Sequence, residues 1–107
     1  MLLDLADKKA LITGSSRGIG RVIAQTLHAE GCRIVLNGRS AERLAKVAAE
    51  MTSAAFVVGD VTRPEEARRV VAEAGSKFGG LDILVCNVGS GSSVAPGDES
   101  YEEWHRV

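Results

Sequence analysis

The chain has 107 residues, of which 45% are hydrophobic and 25% are charged, and its formal net charge at pH 7 is −1. This balance is typical of one globular domain with a modest core, and it argues against a disordered chain or a basic nucleic-acid-binding surface. No apolar run approaches the roughly 18 residues that span a bilayer, and early charges interrupt any secretory signal. We therefore expect a cytoplasmic protein with no nucleic-acid or membrane partner.

The first third of the chain predicts a strand followed by a helix. The apolar run at residues 9–13 stops at a glycine, which indicates a short buried strand. A helix is expected over residues 18–30, with Gly31 as the residue just past its C-terminus. The apolar residues predicted to share the buried face of this helix are Ile19, Val22, Ile23 and Leu27.

Two further strands and a second helix are predicted over the middle of the chain. Residues 33–37 form the second strand and residues 54–58 the third, and Ser40 can cap the helix between them. The apolar positions of that helix follow i, i+3, i+4, i+7 spacing and are Leu44, Val47, Ala48 and Met51.

The next segment predicts a third helix and a fourth strand. Residues 62–65 read Thr-Arg-Pro-Glu, a capping box in which the Thr62 hydroxyl and the Glu65 carboxylate each satisfy a backbone N–H group. The glycines at residues 79–80 break the helix, and residues 83–86 form the strand. The apolar side chains predicted to pack the helix are Ala67, Val70, Val71, Ala74 and Phe78.

Strands thus alternate with amphipathic helices in the order β-α-β-α-β-α-β. This pattern predicts an α/β protein, and right-handed crossovers make a Rossmann-type doubly wound parallel sheet the expected architecture. Residues 87–97 predict a Gly/Ser-rich loop, and residues 100–103 form a second capping box. Because only four residues follow that box, we expect residues 1–107 to be an incomplete domain, cut inside a helix that starts near residue 100. The alternative is a short, frayed turn.

The turn between the first strand and the first helix carries the strongest functional signal. Residues 13–20 read Thr-Gly-Ser-Ser-Arg-Gly-Ile-Gly. Gly14 permits a tight exit from the strand, Gly18 lets backbone approach phosphates, and Gly20 lets the helix lie close to the strand. The helix N-terminus offers free N–H groups and partial positive charge to a pyrophosphate, so the turn predicts a dinucleotide site. The other turn residues expected beside the cofactor are Ser16, Arg17 and Ile19.

The pattern Thr13-Gly14-x-x-x-Gly18-x-Gly20 resembles the cofactor motif of the classical short-chain dehydrogenase/reductase family. Three later segments resemble other family motifs in the same order: Asn37-Gly38-Arg39, Asp60-Val61 and Cys86-Asn87-Val88-Gly89. The resemblance covers essentially the whole chain and implies an N-terminal NAD(P)-binding Rossmann domain. It further implies an oxidoreductase acting on an alcohol or ketone, either 3-oxoacyl reductase-like or sugar/alcohol dehydrogenase-like. The full-length protein would be a dimer or tetramer.

The resemblance also implies roles for residues after the third and fourth strands. Asp60 corresponds to the family's adenine-contacting acid, and Val61 would offer backbone contacts. The alternative role of Asp60 is an acid that favours the dipole of the helix that follows. Asn87 is either a cofactor-side residue or a brace at the sheet centre, and Gly89 belongs to the same motif. Within this motif the chain departs from the family's Asn and Ala at two positions, Cys86 and Val88.

The cofactor preference depends on the end of the second strand. Domains that select NAD usually carry an acid there, which accepts hydrogen bonds from the ribose and repels a 2′-phosphate. Gly38 takes that position here and Arg39 follows it, so a guanidinium group can pair with the phosphate, together with Arg17 of the glycine turn. NADP(H) is therefore predicted over NAD(H). In the alternative, Arg39 is a solvated residue and Glu42 serves as the acid.

No catalytic residue and no metal site are predicted in this chain. The family's catalysis depends on a Tyr-x-x-x-Lys pair with a serine, whereas the only tyrosine, Tyr101, is followed four positions later by His105. We expect Tyr101 and Trp104 to pack a helix start, and Cys32 and Cys86 to be reduced core thiols. Two hypotheses stand. The chain is the cofactor half of an NADP(H)-dependent oxidoreductase and inactive alone, or it is a truncated, non-catalytic nucleotide-binding module.

Overall fold

The computed structural model describes residues 5–87, in which four strands alternate with three helices in the predicted order. In chain order the elements are β1 (Lys9–Ile12), α1 (Gly18–Ala29), β2 (Arg33–Gly38), α2 (Ala41–Ala48), β3 (Ala55–Val58), α3 (Pro64–Lys77) and β4 (Ile83–Val85). Most bounds lie within one residue of the prediction, although α2 ends before Met51, the last position of its predicted pattern. The predicted loop beyond Asn87 and the predicted helix near residue 100, with Tyr101 and Trp104, lie outside the described residues.

The four described strands form one parallel sheet in the order β3-β2-β1-β4. From β1 the chain runs outward through β2 to β3, and α3 then connects β3 to β4 on the other side of β1. In register, Leu11 of β1 lies between Val35 of β2 and Leu84 of β4. This is the predicted Rossmann-type arrangement. The strand order reverses between β1 and β4, and doubly wound sheets bind ligands at such a point.

Helices cover both faces of the sheet, because successive side chains of a strand point to opposite faces. The buried residues of the face covered by α1 and α2 are Ala10, Ile12, Ala24, Cys32, Ile34, Leu36, Leu44, Val47 and Met51. Those of the face covered by α3 are Leu11, Val35, Val57, Val70 and Ala74. The central strands β1 and β2 are thus buried on both sides, which holds their carboxyl ends in place.

The buried face of α1 differs from the predicted one. Ile19 and Val22 are 71% and 59% exposed, whereas Gly20 and Ala24 are the residues that this helix buries. The prediction is wrong at these positions because α1 lies so close to the sheet that small residues fill the contact. On α3, Val71 is also exposed rather than buried. The two predicted positions of α1 that do pack against the core are Ile23 and Leu27.

The start of α3 is a second departure from prediction. The helix begins at Pro64, and its N-cap residue makes no side-chain capping bond. The Thr62 hydroxyl instead donates to the Asp60 carboxylate, and Glu66 rather than Glu65 accepts a backbone N–H group, that of Asp60. The predicted capping box is therefore wrong. Proline, with its fixed φ and missing N–H, is favoured at the first helical position and sets the helix start beyond Thr62.

Two local predictions, the Ser40 helix cap and the glycine just past the end of α1, are confirmed. The Ser40 hydroxyl accepts the backbone N–H of Arg43 at 3.2 Å, as a helix cap does. Gly31 follows α1 with a φ of +94°. Cys32 is buried and Cys86 half-buried, both are free thiols, and burial raises the pKa of each. In the described part of the chain, no helix is long and apolar enough to cross a membrane, and no group of ligand side chains is placed to hold a metal ion.

A methyl group at Gly20 is expected to destabilise the fold. It would overlap the carbonyl group of Gly14 and lie 2.6 Å from Nδ2 of Asn87, so the turn and the helix would have to separate. We expect Gly20→Ala to lower the free energy of unfolding by about 2 kcal/mol, as overpacking at a tight contact does. Urea denaturation measures this change.

Gly75→Ala in α3 is the matched control, since nothing lies within 4 Å of the added methyl group. This change should raise the free energy of unfolding by roughly 0.5–1 kcal/mol, because alanine is the better helix former. Equal effects of the two substitutions would contradict the close packing of α1 on the turn.

Candidate functional site

An open cleft of about 710 Å³ lies along the carboxyl ends of the described strands. The glycine turn follows β1, Arg39 follows β2, Asp60 follows β3 and Asn87 follows β4, and all of them line this cleft. They meet there because parallel strands end at the same edge of a sheet. The cleft occupies the position at which open α/β sheets bind their ligands.

The three glycines of the turn are required for different reasons. Gly14 has a φ of +59°, and a Cβ atom there would overlap the backbone carbonyl of Asn87. Gly20 is buried, and its missing side chain lets α1 approach the Gly14 carbonyl. Gly18 has a φ of +63°, but nothing lies within 4 Å of its Cβ position. Two glycines therefore allow close packing, and the third leaves its backbone accessible from the cleft.

Asn37, at the end of β2, connects the glycine turn to the end of β3. It is 1% exposed. Its Nδ2 group donates to the carbonyl oxygens of Val57 and Gly59 at 3.1 and 3.2 Å, and its Oδ1 accepts the Gly14 N–H at 3.4 Å. The Ser15 N–H donates to the Asn37 carbonyl at 2.8 Å, and the Asn37 N–H donates to Ser15 Oγ at 2.9 Å. One buried residue thus fixes the two turns relative to each other.

A second set of hydrogen bonds joins the glycine turn to the end of β4. The Asn87 backbone N–H donates to Thr13 Oγ1 at 2.9 Å, and Asn87 Nδ2 donates to the Gly14 carbonyl at 3.2 Å. The Thr13 hydroxyl donates in turn to the Val85 carbonyl at 3.4 Å. Asn87 therefore makes the brace that was one of its two predicted roles, and it also lines the cleft.

The first turn of α1 has backbone N–H groups without an intrahelical partner. Its N-cap residue, Arg17, makes no side-chain capping bond, and no acidic residue lies in this turn. The other two described helices differ. The start of α2 has the Ser40 cap and Glu42, and the first turn of α3 has two glutamates. The positive end of the α1 dipole therefore faces the cleft, and neither a capping side chain nor an acidic residue of its first turn neutralises it.

Asp60 lies between β3 and α3 and is held by its neighbours. Its Oδ1 accepts the Thr62 hydroxyl at 2.5 Å and the Thr62 N–H at 3.0 Å, and its own N–H donates to Glu66 Oε1 at 3.0 Å. The two bonds from Thr62 lower the pKa of the Asp60 carboxyl, against an opposing effect of desolvation. The positive charges of Arg39 and Arg63 lower this pKa further. The carboxylate is thus ionised at neutral pH and fixed in direction.

The end of β2 has no acid beside the cleft. Gly38 is buried, and a Cβ atom there would lie 3.1 Å from a serine hydroxyl of the glycine turn. Arg39 is exposed and lines the cleft, as does Arg17. Glu42, the alternative candidate for an acid, is not among the lining residues, and its carboxylate pairs with Lys46 at 3.7 Å. Arginine side chains rather than an acid therefore border the cleft here.

The structure brings together nearly all of the residues predicted for the site. Those that line the cleft are Gly14, Ser16, Arg17, Gly18, Ile19, Gly38, Arg39, Asp60, Val61 and Asn87. Gly20 is buried and does not line the cleft, and Gly89 lies outside the described residues. The lining residues that were not predicted for the site are Asn37, Ser40, Arg43, Gly59 and Thr62. The signal that could have found them is their place at or shortly after the end of a strand, where parallel sheets bind ligands.

Comparisons with known proteins agree with this arrangement. The family model described as short chain dehydrogenase matches residues 8–107. An uncharacterized oxidoreductase of Staphylococcus aureus is 41% identical over 102 residues, which cover 94% of this chain and 44% of that protein.

Two solved structures of dehydrogenases or reductases are also similar to this chain. A short chain dehydrogenase from Burkholderia cenocepacia, in complex with NADP, has a TM-score of 0.77 at 36% identity, covering 94% of this chain and 43% of that chain. L-Sorbose reductase from Gluconobacter frateurii, complexed with NADPH and L-sorbose, has a TM-score of 0.74 at 38% identity. The match covers 95% of this chain and 41% of that chain. The chain therefore spans less than half the length of the relatives it matches.

Replacement of Asn37 tests the connection between the two turns. Asn37→Asp keeps the shape of the side chain but removes the Nδ2 donor, which leaves the Val57 and Gly59 carbonyls unpaired and buries a charge. We expect it to lower the free energy of unfolding by about 3 kcal/mol in urea denaturation at neutral pH. Ser40→Ala, which removes only an exposed helix cap, should lower it by about 1 kcal/mol. An Asn37→Asp effect no larger than that of the cap would contradict the central role of Asn37.

The pH dependence of stability tests the ionisation of Asp60. Because its pKa is lower in the folded protein than its ordinary value of 3.8, Asp60 stabilises the fold above pH 3.8. This contribution is lost as the pH falls through the folded-state pKa. We expect Asp60→Asn to lower the melting temperature at neutral pH and the deficit to shrink below pH 3.8.

Thr62→Val provides the matched variant for this prediction, because it removes the hydroxyl donor and keeps the backbone N–H. The pKa of Asp60, followed by NMR titration of its carboxyl carbon, should rise towards its ordinary value in this variant. An unchanged pKa would show that the hydrogen bond from Thr62 does not set the ionisation of Asp60.

Proposed function

The chain belongs to the short-chain dehydrogenase family, and on that premise we propose that it is the cofactor-binding part of an NADP(H)-dependent oxidoreductase. The proposed reaction is hydride transfer between the nicotinamide cofactor and a small alcohol or ketone. The observation that supports this proposal most directly is the cleft at the carboxyl ends of the strands. It is lined by the glycine turn, the uncapped N-terminus of α1 and Arg39. A dimer or tetramer is proposed from family resemblance alone, and the cytoplasmic location expected from the sequence is kept as a proposal.

The glycine turn fits a pyrophosphate. Gly18 leaves open space at its Cβ position, and the first N–H groups of α1 lack a capping partner, so both can donate to phosphate oxygens. Ser16 and Ile19, from the same turn, also line the cleft. A nicotinamide cofactor, when bound, supplies or accepts the hydride. The contribution of these residues is to hold it in one orientation against a rigid sheet.

Asp60 and Val61 are proposed to hold the adenine end of the cofactor. The Asp60 carboxylate is ionised and its direction is fixed by Thr62, so it is ready to accept a hydrogen bond from an amino group. Val61 lines the cleft beside it and offers its backbone. Asn87 and Gly89 are proposed for the nicotinamide side, because Asn87 follows β4 and donates a hydrogen bond to the glycine turn.

Arg39 and Arg17 are proposed to favour NADP(H) over NAD(H). Gly38 supplies no carboxylate that would repel a 2′-phosphate. Each hydrogen bond to a charged group contributes roughly 1.5–3 kcal/mol, so two guanidinium contacts would favour NADPH by on the order of 10²-fold or more. The Burkholderia and Gluconobacter proteins were solved with NADP and NADPH, which supports the same choice here.

The proposed substrate is a ketone or alcohol of the 3-oxoacyl or sugar type. The similarity to a reductase solved with L-sorbose supports a sugar ketone as one member of this class. No residue of this chain is proposed to exchange a proton with the substrate, because the sequence contains no Tyr-x-x-x-Lys pair. The chain alone is therefore proposed to bind the cofactor without turning over a substrate.

Cofactor titration, followed by the fluorescence of NADPH and NADH, tests the proposed function. We expect NADPH to bind on the order of 10²-fold more tightly than NADH. Arg39→Asp should abolish this preference, because a carboxylate repels the 2′-phosphate and accepts hydrogen bonds from a free ribose. Arg68→Asp, on an exposed part of α3 outside the cleft, is the control and should leave both Kd values unchanged.

Three outcomes would count against the proposal. An NADPH Kd equal to or above that of NADH would contradict the cofactor preference, and failure to bind either cofactor would contradict the function itself. If the full-length protein binds NADPH but oxidises no alcohol and reduces no ketone, a non-catalytic nucleotide-binding module is the better description.

A further inference from the structure

We infer that Arg43 is a third guanidinium group of the 2′-phosphate site, an assignment that rests on the proposed function and extends it into α2. Arg43 is exposed and lines the same cleft as Arg17 and Arg39. The three arginines come from separate places in the fold. Arg17 is the N-cap residue of α1, Arg39 directly follows β2, and Arg43 is the third residue of α2.

The three cleft arginines differ from most other described arginines in having no partner side chain. Elsewhere in residues 5–87, the paired arginines are Arg21 with Glu50, Arg63 with Glu66, Arg69 with Glu66 and Glu73, and Arg33 over the Phe78 ring at 4.3 Å. Within the same range, Arg17, Arg39 and Arg43 form no ion pair. The Arg43 guanidinium can therefore bind an anionic ligand without displacing an internal partner.

The position of Arg43 in its helix is unfavourable for stability. A cation in the first turn of a helix opposes the helix dipole. Glu42, the nearest acid in sequence, pairs with Lys46 one turn further along and so does not neutralise Arg43. A positive charge that opposes the helix dipole and also lines the cleft is consistent with a ligand-binding role, since local rules are broken most often at functional sites.

The charge of the cleft favours the same ligand. Three arginines and one aspartate line it, a formal net charge of +2, whereas the whole chain carries −1. A phosphate monoester carries about 1.5–2 negative charges at neutral pH and has three acceptor oxygens. Arg17, Arg39 and Arg43 can therefore each donate to a different oxygen of the 2′-phosphate, which NADH lacks.

The experiment titrates the wild type, Arg43→Ala, Arg39→Ala and the control Arg68→Ala with NADPH and with NADH. We expect Arg43→Ala to weaken NADPH binding about 10-fold, the size of one charge-assisted contact, and to change NADH binding by less than about 2-fold. Arg68→Ala removes the same charge outside the cleft and should change neither affinity. The melting temperature of Arg43→Ala should stay the same or rise, because its loss relieves the helix dipole.

The ratio of the two affinities separates this inference from the proposed function. If Arg39→Ala lowers the preference for NADPH but Arg43→Ala does not, the role of Arg43 is overturned and the proposed function stands. If Arg43→Ala weakens NADPH and NADH equally, its role at the 2′-phosphate is also overturned. A wild type that binds both cofactors equally, or neither, overturns both. Arg43→Lys keeps the charge and should retain part of the preference, which separates a binding effect from a folding defect.

Discussion

The side-chain amide of Asn37 is buried where two turns converge, and its groups are shared between them. Two carbonyls at the end of β3 accept its N–H groups, while its oxygen accepts the N–H of Gly14. Hydrogen bonds between strands align the strands but leave the direction of each following turn open. Because an unpaired buried polar group costs about 1–3 kcal/mol, neither turn can move without a penalty in the other. Asn37 therefore fixes the glycine turn relative to the turn after β3, and both turns line the cleft.

The charged side chains around the cleft also differ in whether they have a partner. Glu42, Glu66 and Glu73 pair with basic side chains of their own helices, at exposed sites where ion pairs contribute little to stability. None of these three glutamates lines the cleft. Asp60 is the acid among the described lining residues, and its carboxylate is bound to Thr62 and faces the positive charge of Arg39. The cleft therefore stays positive in a chain whose net charge is slightly negative.

Features that depend on neighbours in sequence could be predicted, and features that depend on close approach in space could not. The alternation of strands and helices and the Ser40 cap are local, and both are present. The exposed Ile19 shows the limit of helical periodicity, which indicates a direction but not how close a helix lies to its sheet. The Thr62 capping box failed because a proline two residues later sets the helix start. The hydrogen bonds of Asn37 join segments about 20 residues apart in sequence, and no local sequence pattern predicts such pairs. Arg43 was not predicted for the site, because a charged residue in an amphipathic helix is normally interpreted as a solvated side chain.

The contact between Asn87 and Gly14 has a mechanical consequence. The Gly14 carbonyl accepts the Asn87 amide, and a Cβ atom at Gly14 would overlap the Asn87 carbonyl, so the two backbones touch without slack. The glycine turn therefore cannot shift towards Asn87 without a clash, and it cannot shift away without losing the hydrogen bond from Asn87 Nδ2. Asn87 thus limits the movement of the turn in both directions, so the width of the cleft at this point is set by the backbone rather than by a flexible side chain.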